Sequence, residues 1–179
     1  MTDLIKANIR TVPDYPIKGI QFRDITSLLE NPVAFDDAIL SLLWATSPFK
    51  ASTIIGIESR GFVFAGPLAW DNRIPLVLAR KPNKLPNDTY KQDYDLEYGS
   101  ATIEIQKNTT IQGPVIIVDD LIATGGTALA CAELVMKHWK IKPKDIMIVA
   151  VIDLPDLGGS KLLRDKGFEV KTIVEFEGE

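Results

Sequence analysis

Four short apolar runs, rich in β-branched residues, constrain the fold of this chain more than any other feature of its sequence. The runs TIIGIE, PLVLAR, VIIVDD and DIMIVAVID occupy residues 53–58, 75–80, 115–120 and 145–153. Each run is almost continuously apolar rather than alternating, which is typical of strands covered on both faces. Helical patterns separate the runs. This alternation predicts an α/β fold with a mainly parallel, twisted sheet flanked by helices.

Apolar residues recur with helical spacing over residues 32–44, 61–70, 127–140 and 160–166, and VKTIVEF follows as a last predicted strand. Two segments do not fit this core. The N-terminal segment before residue 30 is rich in Pro and turn signals, and residues 82–112 are polar and turn-rich. Long segments of the second kind in a compact domain are typically lids or arms. We expect a flexible antiparallel arm over the site, in a single domain that spans residues 1–179.

Composition and charge disfavour several classes of function. The chain has 179 residues, of which 46% are hydrophobic and 25% charged, as is ordinary for a globular domain. A formal net charge of −4 gives no broad cationic field for nucleic acid or an anionic membrane surface. No apolar run approaches the roughly 18 residues of a membrane span, and the first residues lack the apolar core of a signal peptide. We therefore expect a cytoplasmic protein.

The single cysteine and the single histidine offer little chemistry of their own. Cys131 can form no intrachain disulfide and no zinc cluster, and its apolar neighbours predict a packed helix residue. His138 lies among lysines near a predicted helix end, where a solvated position is expected. A Ser-His-Asp triad would have to use this histidine, so we do not expect one.

The string VIIVDDLIATGGTA at residues 115–128 predicts a phosphate site. A strand, a short loop and a helix that begins near Thr127 would place free backbone N–H groups at the carboxyl edge of the sheet. Gly125 and Gly126 allow close approach to a phosphate and a positive φ, and Thr124 adds a hydroxyl donor, as does Thr127. The helix dipole favours the negative charge, so no charged side chain is required.

Two other phosphate-binding motifs are missing from the sequence. GIESRG at residues 56–61 has the glycine spacing of a Walker A loop, but Phe62 stands where lysine is required, and no GxGxxG string occurs. Asp119 and Asp120 instead precede the glycine loop. Carboxylates accept hydrogen bonds from vicinal sugar hydroxyls and can hold Mg²⁺ directly or through water. Because neighbours on a strand point to opposite faces, one of the two could instead cap a loop or balance a lysine.

The same string resembles the phosphoribosyl-pyrophosphate-binding signature of the type I phosphoribosyltransferases. GIQFRDITSLL, GIESRGFVFAGPLA, RKPNKLP, YDLEYGSATIEIQ and DLGG resemble strings of the adenine phosphoribosyltransferase family, in the same order and at similar separations. This resemblance covers nearly the whole chain. It implies the type I phosphoribosyltransferase fold with a small hood, here largely residues 1–30. It also implies an enzyme that joins adenine to phosphoribosyl pyrophosphate with Mg²⁺, giving AMP and pyrophosphate, usually as a homodimer.

The resemblance implies a role for each quoted string. The 5′-phosphate is expected at Ala123, Thr124, Gly125, Gly126 and Thr127, and the ribose hydroxyls at Asp119 and Asp120. Pyrophosphate is expected at Glu58, Ser59, Arg60 and Gly61, with a cis peptide between the first two, and at Arg80, Lys81 and Lys84, partly across a dimer interface. Mg²⁺ would be held mainly by the substrate, near the two aspartates. Read alone, Arg60 could be a surface arginine, and the cluster that begins at Arg80 could be a solvated turn.

Adenine recognition and proton transfer are expected from the N-terminal segment and the arm. Phe22 would stack on the base while the backbone of Gln21 and Arg23 reads its amino edge, although a core position for Phe22 is the alternative. Glu97, with Tyr98 beside it, would swing in with the closing arm and exchange a proton with the purine. A glutamate in a polar loop is otherwise usually solvated. Catalytic roles are thus expected for these two arm residues and for Arg60.

Two other functions are compatible with these residues. One is salvage of hypoxanthine or xanthine, because backbone readout of a base leaves no side-chain signature. The other is a nucleotide-sensing regulator on the same fold, which usually carries an added DNA-binding module. Asn83 and Asn87 depart from the family pattern, since many relatives have glycine there. This departure would alter the flexibility of the arm but removes no reacting group.

Overall fold

The computed structural model describes residues 2–96 and 99–178, with Leu96 described by its backbone alone. In chain order the elements are α1 (Thr2–Ala7), β1 (Arg10–Pro13), β2 (Gln21–Asp24), α2 (Thr26–Leu29), α3 (Pro32–Thr46), β3 (Thr53–Ile57), α4 (Gly61–Asn72), β4 (Leu76–Ala79), β5 (Thr89–Leu96), β6 (Gly99–Gln106), β7 (Val115–Ile122), α5 (Gly126–Trp139), β8 (Ile146–Asp153), α6 (Gly159–Asp165) and β9 (Glu169–Glu175). Short 3₁₀ turns occupy Pro143–Asp145 and Pro155–Leu157.

A five-stranded sheet in the order β4-β3-β7-β8-β9 forms the centre of the fold. Every pairing within it is parallel, so the carboxyl ends of all five strands meet at one edge. Helices pack on both of its faces. The predicted α/β fold with a mainly parallel sheet is therefore confirmed. The sheet edge that receives the carboxyl ends is where open α/β folds bind ligands.

Both faces of the sheet are buried because successive apolar residues of each strand enter different cores. Ile54 packs in a cluster with Phe64 of α4, whereas Ile55 lies in a second cluster with Leu134 of α5. All eight residues of β8 are buried. The continuous apolar runs are thus explained by a sheet sandwiched between two helical layers.

The observed helix bounds differ slightly from the predicted ones. The helix predicted from Thr127 begins one residue earlier, at Gly126, because Gly125 takes a left-handed conformation and ends the loop. The same helix ends at Trp139 because Lys140 is left-handed, with φ 60°. The helices that begin at Pro32 and Gly61 run two residues further than predicted. No helix in the described part of the chain is both long and apolar enough to cross a membrane.

Two antiparallel strand pairs lie outside the central sheet. β1 and β2 pair within the N-terminal segment, and β5 pairs with β6 within the segment predicted as an arm. The arm is tied to the core, because the backbone N–H groups of Arg80 and Glu104 each donate to the other's carbonyl, at 2.9 and 2.7 Å. Tyr90 of β5 stacks on His138 of α5, with ring centroids 3.7 Å apart. His138 is therefore half-buried against the arm rather than solvated as expected.

Candidate active site

A cavity of about 840 Å³ opens where β3 and β7 end. Its lining comes from the loop after β3, the turn after β4, the glycine loop after β7, and both strands of the arm. Eleven of the predicted site residues lie together in this lining: Glu58, Ser59, Arg60, Lys81, Asp119, Asp120, Ala123, Thr124, Gly125, Gly126 and Thr127. A concave space of this size suits a small-molecule substrate.

The glycine loop presents backbone donors to the cavity. Gly125 caps the start of α5 with φ 80°, a left-handed conformation that glycine adopts at least cost. No side chain caps this helix, so the N–H groups of its first turn stay available. Of the two glycines predicted to allow positive φ, Gly126 does not adopt it. Its lack of a side chain instead leaves room for the arm, because a Cβ there would lie 3.2 Å from the carbonyl oxygen of Asp95, a tight contact.

Asp119, which is half-buried, and Asp120, which is buried, form an acidic pair in the second half of β7. The backbone N–H of Asp120 donates to Oδ1 of Asp119 at 2.9 Å. Burial, reinforced by the charge of Asp120, raises the pKa of the Asp119 carboxyl well above its usual value. Burial also raises the pKa of Asp120, although the nearby Arg60 guanidinium opposes the shift. The pair therefore carries negative charge that the protein alone solvates poorly.

Arg60 joins three parts of the site. Its Nε lies 2.8 Å from Oδ2 of Asp120, and its guanidinium stands 5.6 Å from the centroid of the Phe22 ring in β2. Its side chain keeps 43% of its surface exposed, so donors remain for a ligand. Gly61, which follows it, lies outside the lining described. A Cβ there would come within 2.6 Å of the carbonyl oxygen of Val118, so this glycine allows α4 to pack closely on β7.

Glu58 is satisfied by the protein itself. Its carboxylate accepts hydrogen bonds from Nε and Nη2 of Arg80, at 3.2 and 3.3 Å, and from the backbone N–H of Lys81, at 2.8 Å. Partial burial opposes ionisation, but these three donors outweigh it and lower the pKa of Glu58. The peptide bond between Glu58 and Ser59 is cis, as the family resemblance implies.

The residues of the second predicted basic cluster, Arg80, Lys81 and Lys84, do not all face the cavity. Nη1 of Arg80 donates to the carbonyl oxygen of Lys84 at 3.0 Å, so the guanidinium fork is engaged by Glu58 and the turn. Lys81 and Pro82 line the cavity, whereas Arg80 and Lys84 lie outside the lining described. Within the predicted pyrophosphate site, Lys81 thus faces the cavity and Arg80 holds the turn that carries it.

The strand predicted to bind adenine lies at the margin of the cavity. Gln21, Phe22 and Arg23 are half-buried in β2 but do not belong to the lining described. The Phe22 ring meets Tyr15 edge to face, with centroids 5.1 Å apart. The side chain of Arg23 turns away, donating to Oγ1 of Thr11 at 2.6 Å and standing 4.6 Å from the centroid of the Phe176 ring.

The arm contributes lining residues that sequence reasoning missed. Tyr94 of β5 and Ser100, Ala101 and Thr102 of β6 contribute atoms to the cavity lining. The period-two spacing of Ser100 and Thr102 is the signal that was available, since residues two apart share a face of a strand. Glu97 and Tyr98, the predicted proton-transfer residues, lie outside the described residues. Their roles stay predictions.

A direct metal cluster is not seen among residues 2–96 and 99–178. In that part of the chain, no three His, Cys, Asp or Glu side chains come together as a metal-binding group. The paired carboxylates of Asp119 and Asp120 nevertheless supply the oxygen atoms that Mg²⁺ prefers, beside space for substrate oxygens. The residues present thus suit an ion that is shared with a bound substrate.

The chain is similar to known proteins in both sequence and structure. Residues 26–177 match the family model described as phosphoribosyl transferase domain. The adenine phosphoribosyltransferase of Chlorobaculum parvum is 46% identical over 178 residues, which cover 98% of this chain and 99% of that protein. The adenine phosphoribosyltransferase of Pelagibacter ubique is 46% identical over 176 residues, which cover 97% of this chain and 98% of that protein.

Two solved structures are similar over nearly their whole length. Adenine phosphoribosyltransferase from Thermoanaerobacter pseudethanolicus has a TM-score of 0.87 and 38% identity, covering 98% of this chain and 100% of that one. The enzyme from Giardia lamblia, solved with 9-deazaadenine, has a TM-score of 0.89 and 33% identity, covering 98% and 97%. These likenesses confirm the fold that the sequence resemblance implies.

Proposed function

The chain belongs to the phosphoribosyltransferase family, and from that premise we propose that it transfers the 5-phosphoribosyl group of phosphoribosyl pyrophosphate to adenine. The products are AMP and pyrophosphate, so the enzyme serves purine salvage. Relatives 42–46% identical over nearly the whole chain are adenine phosphoribosyltransferases. The observation that carries the proposal is one cavity in which an uncapped helix N-terminus stands beside the half-buried Asp119, the buried Asp120 and a cationic loop.

The 5′-phosphate is proposed to bind the loop from Ala123 to Thr127. Its N–H groups at the start of α5 donate to phosphate oxygens, and the helix dipole stabilises the charge by roughly 0.3–1 kcal/mol. Thr124 and Thr127 line the cavity and carry hydroxyl donors. Because these donors belong to a helix end that is already formed, little ordering has to accompany binding.

The ribose is proposed to lie against Asp119 and Asp120. N9 of adenine attacks C1′ as the bond from C1′ to the pyrophosphate oxygen breaks, and that oxygen keeps the electron pair. The sugar ring then gains positive, oxocarbenium-like character, which the adjacent carboxylates stabilise electrostatically. The raised pKa values of the two aspartates support this role, because the hydroxyl donors and positive charge of a bound substrate would add to the one guanidinium, that of Arg60, which pairs with Asp120.

The leaving pyrophosphate is proposed to bind the loop after β3. Arg60 supplies donors from a half-exposed guanidinium, and Lys81 adds a second cation in the lining. Arg60 pairs with Asp120, and pyrophosphate oxygens would replace part of this ion pair. Arg80 acts through Glu58 and the carbonyl of Lys84, which keep the turn of Lys81 in place.

Adenine is proposed to bind at the margin where β2 meets Arg60. Phe22 offers a ring face there, with the Arg60 guanidinium 5.6 Å from its centroid. The backbone of Gln21 and Arg23 would read the amino edge of the base. Glu97 would accept the proton that N9 loses, with Tyr98 beside it, as the arm closes over the base.

A bound Mg²⁺ would be held by substrate oxygens and by Asp119 or Asp120. When present it neutralises negative charge on the pyrophosphate group and so favours its departure. The protein's own residues supply the remaining contacts: backbone donors at one end of the substrate, and Arg60 with Lys81 at the other.

A homodimer in the cytoplasm is part of the proposal. Val63 and Trp70 lie seven residues apart on α4, and Trp70 is 81% exposed. Leu76 and Leu78 of β4, the edge strand of the sheet, are also exposed. Exposed apolar side chains grouped on neighbouring elements are typical of a protein interface, and this face adjoins the turn of Lys81.

The decisive experiment supplies purified protein with Mg²⁺, phosphoribosyl pyrophosphate and one purine at a time. Adenine is expected to give AMP and pyrophosphate in equal amounts, measured by chromatography. Preference for hypoxanthine or xanthine would correct the base, and nucleotide binding without turnover would indicate a regulator. An AMP complex whose phosphate lies away from residues 124–127 would refute the site.

Glu97→Ala tests the proton-transfer assignment. The variant is expected to slow AMP formation at saturating substrate by about 10² to 10⁴-fold, the usual contribution of a general base. Phosphoribosyl pyrophosphate binding should be largely retained, because Glu97 is not expected to contact that substrate. An unchanged rate would show that the proton goes elsewhere.

A further inference from the structure

We infer that Gly159 is a positioning residue for the phosphate loop, holding its backbone donors in place through direct contact between two glycines. This inference rests on the proposed function, since it assumes that residues 123–127 hold the 5′-phosphate. Gly159 is the last residue of the DLGG string, for which the proposed reaction has no other use. It lies in α6, the helix that follows β8, and the three atoms nearest to an added Cβ there all belong to the loop named here.

The segments that follow β7 and β8 run side by side. The backbone N–H of Leu154, the first residue after β8, donates to the carbonyl oxygen of Ile122, the last residue of β7, at 3.0 Å. Further along, the N–H of Gly159 donates to the carbonyl oxygen of Ala123 at 3.1 Å. The first residue of α6 is thus hydrogen-bonded to the first residue of the phosphate loop.

The contact is too close for any side chain at position 159. A Cβ built there would lie 2.2 Å from the carbonyl oxygen of Ala123 and 2.6 Å from the backbone nitrogen of Gly125. Both are main-chain atoms of the loop, so they cannot avoid a methyl group by rotating a side chain. Either the loop or α6 would have to move.

The contact is reciprocal. A Cβ on Gly125 would lie 3.0 Å from the carbonyl oxygen of Gly159 and 3.1 Å from its Cα. Two features therefore favour glycine at position 125: its left-handed φ and its close contact with the backbone of Gly159. The N–H groups that would bind phosphate follow it immediately, so a shift of this contact displaces them as well.

The neighbouring Gly158 provides a matched comparison. It takes φ 73°, but apart from its chain neighbours no atom of the described residues lies within 4 Å of an added Cβ, so the conformation alone favours glycine there. Ser160, the next residue, is buried and its hydroxyl has no hydrogen-bond partner among the described residues. Each of these three consecutive residues therefore tests a different property. Gly159 tests contact with the phosphate loop, Gly158 tests backbone conformation and Ser160 tests side-chain burial.

The test compares Gly159→Ala with the unaltered full chain, using ribose 5-phosphate and Mg²⁺-pyrophosphate as separate probes in calorimetric titrations. Displaced loop donors should raise the Kd for ribose 5-phosphate about tenfold or more. The Kd for pyrophosphate should stay within about twofold, because its proposed donors, Arg60 and Lys81, lie on the loop after β3 and the turn after β4. Amide hydrogen exchange should quicken at Gly125–Thr127 and stay unchanged in β3.

Two control variants complete the experiment. Gly158→Ala should lower Tm, because a Cβ strains a left-handed residue, while leaving both Kd values within about twofold. Ser160→Ala should leave both Kd values unchanged. An unaltered ribose 5-phosphate Kd in Gly159→Ala would overturn the inference, as would equal loss of both ligands with faster exchange throughout the sheet. If the unaltered chain fails to bind ribose 5-phosphate at this loop, the proposed function itself is overturned.

Discussion

The neighbouring strands β3 and β7 both lead into carboxylates at the edge of the cavity, but the protein treats these carboxylates oppositely. Glu58, after β3, accepts hydrogen bonds from Arg80 and from the backbone of Lys81, and its pKa is lowered. Asp119, in β7, accepts the N–H of Asp120 beside a second carboxylate, and burial raises its pKa. Among the residues that the structure describes, no cation forms an ion pair with Asp119.

This difference distinguishes Glu58, which stabilises the structure of the site, from Asp119 and Asp120, which are available to a ligand. A carboxylate whose partners are all protein groups stabilises the fold and has little left for a ligand. A buried carboxylate without such partners costs stability, and a ligand that supplies donors or positive charge recovers that cost. Asp120 stands between the two cases, because Arg60 is its partner and is also a proposed ligand of pyrophosphate.

The largest expected effect follows from removing charge on the β7 side. Asp120→Asn should lower kcat/KM for AMP formation by about 10² to 10³-fold, as is typical when one preorganised electrostatic group is lost. Steady-state kinetics with varied phosphoribosyl pyrophosphate measure it. Asp165→Asn, which removes an exposed carboxylate of the same type paired with Lys161, is the matched control and should be neutral. Equal kcat/KM values for Asp120→Asn and Asp165→Asn would contradict the functional role given to the β7 carboxylates.

Removing the partner on the β3 side should affect stability. Arg80→Ala leaves the Glu58 carboxylate, whose side chain is 12% exposed, without its guanidinium. We expect the free energy of unfolding at pH 7 to fall by about 1–3 kcal/mol, the cost of leaving such a group unsatisfied. Because the folded-state pKa of Glu58 is lowered, its stabilising contribution is present above about pH 4.3 and is lost as the pH falls through that lower pKa.

Urea unfolding at several pH values measures this effect. The difference between Arg80→Ala and the unaltered chain should be largest at neutral pH and shrink below about pH 4.3. Lys161→Ala, which breaks an exposed ion pair on α6, should change stability by less than about 1 kcal/mol. A loss that is independent of pH would assign the effect to the packing of Arg80 on Phe62, whose ring centroid is 5.9 Å away.

Neutralising Asp119 should change the free energy of unfolding in the opposite direction. Asp119→Asn keeps an oxygen that can accept the N–H of Asp120 but removes a poorly solvated charge. We expect the free energy of unfolding at pH 7, without Mg²⁺, to rise by about 0.5–2 kcal/mol while activity falls. Because burial raises the folded-state pKa of Asp119, ionisation destabilises the fold as pH rises through that pKa, and the gain should vanish toward about pH 3.9. A stability loss at pH 7 would contradict this account.

The contrast also marks what the sequence could and could not predict. Continuous apolar runs predict β3 and β7 because both faces of each strand must be covered, and the glycine loop predicts donors at the start of α5. The hydrogen bonds from the Arg80 guanidinium to Glu58 depend on the strand register. Ile57 lies opposite Ala79, and this places the next residues, Glu58 and Arg80, side by side. Nothing in the sequence fixes that register. The role of Gly159 likewise depends on how closely the segments after β7 and β8 approach.

The smallest expected effect concerns the turn that Arg80 holds. Asn83 takes φ 63° in this turn, between Lys81 and the Lys84 carbonyl that accepts from Arg80. Asparagine tolerates the left-handed region better than other non-glycine residues, and glycine loses more entropy on folding. These effects nearly cancel, so Asn83→Gly should change the free energy of unfolding by less than about 0.5 kcal/mol.

Asn83→Ala is the control for this variant, because alanine has a Cβ but no polar group that could offset the strain of a left-handed conformation. It should lower stability by about 1–2 kcal/mol, measured by urea unfolding at pH 7. If both variants leave stability unchanged, the turn is not held in its left-handed conformation in solution. Arg80 would then have lost the Lys84 carbonyl as an acceptor, and Glu58 would be the remaining hydrogen-bond partner described for its guanidinium.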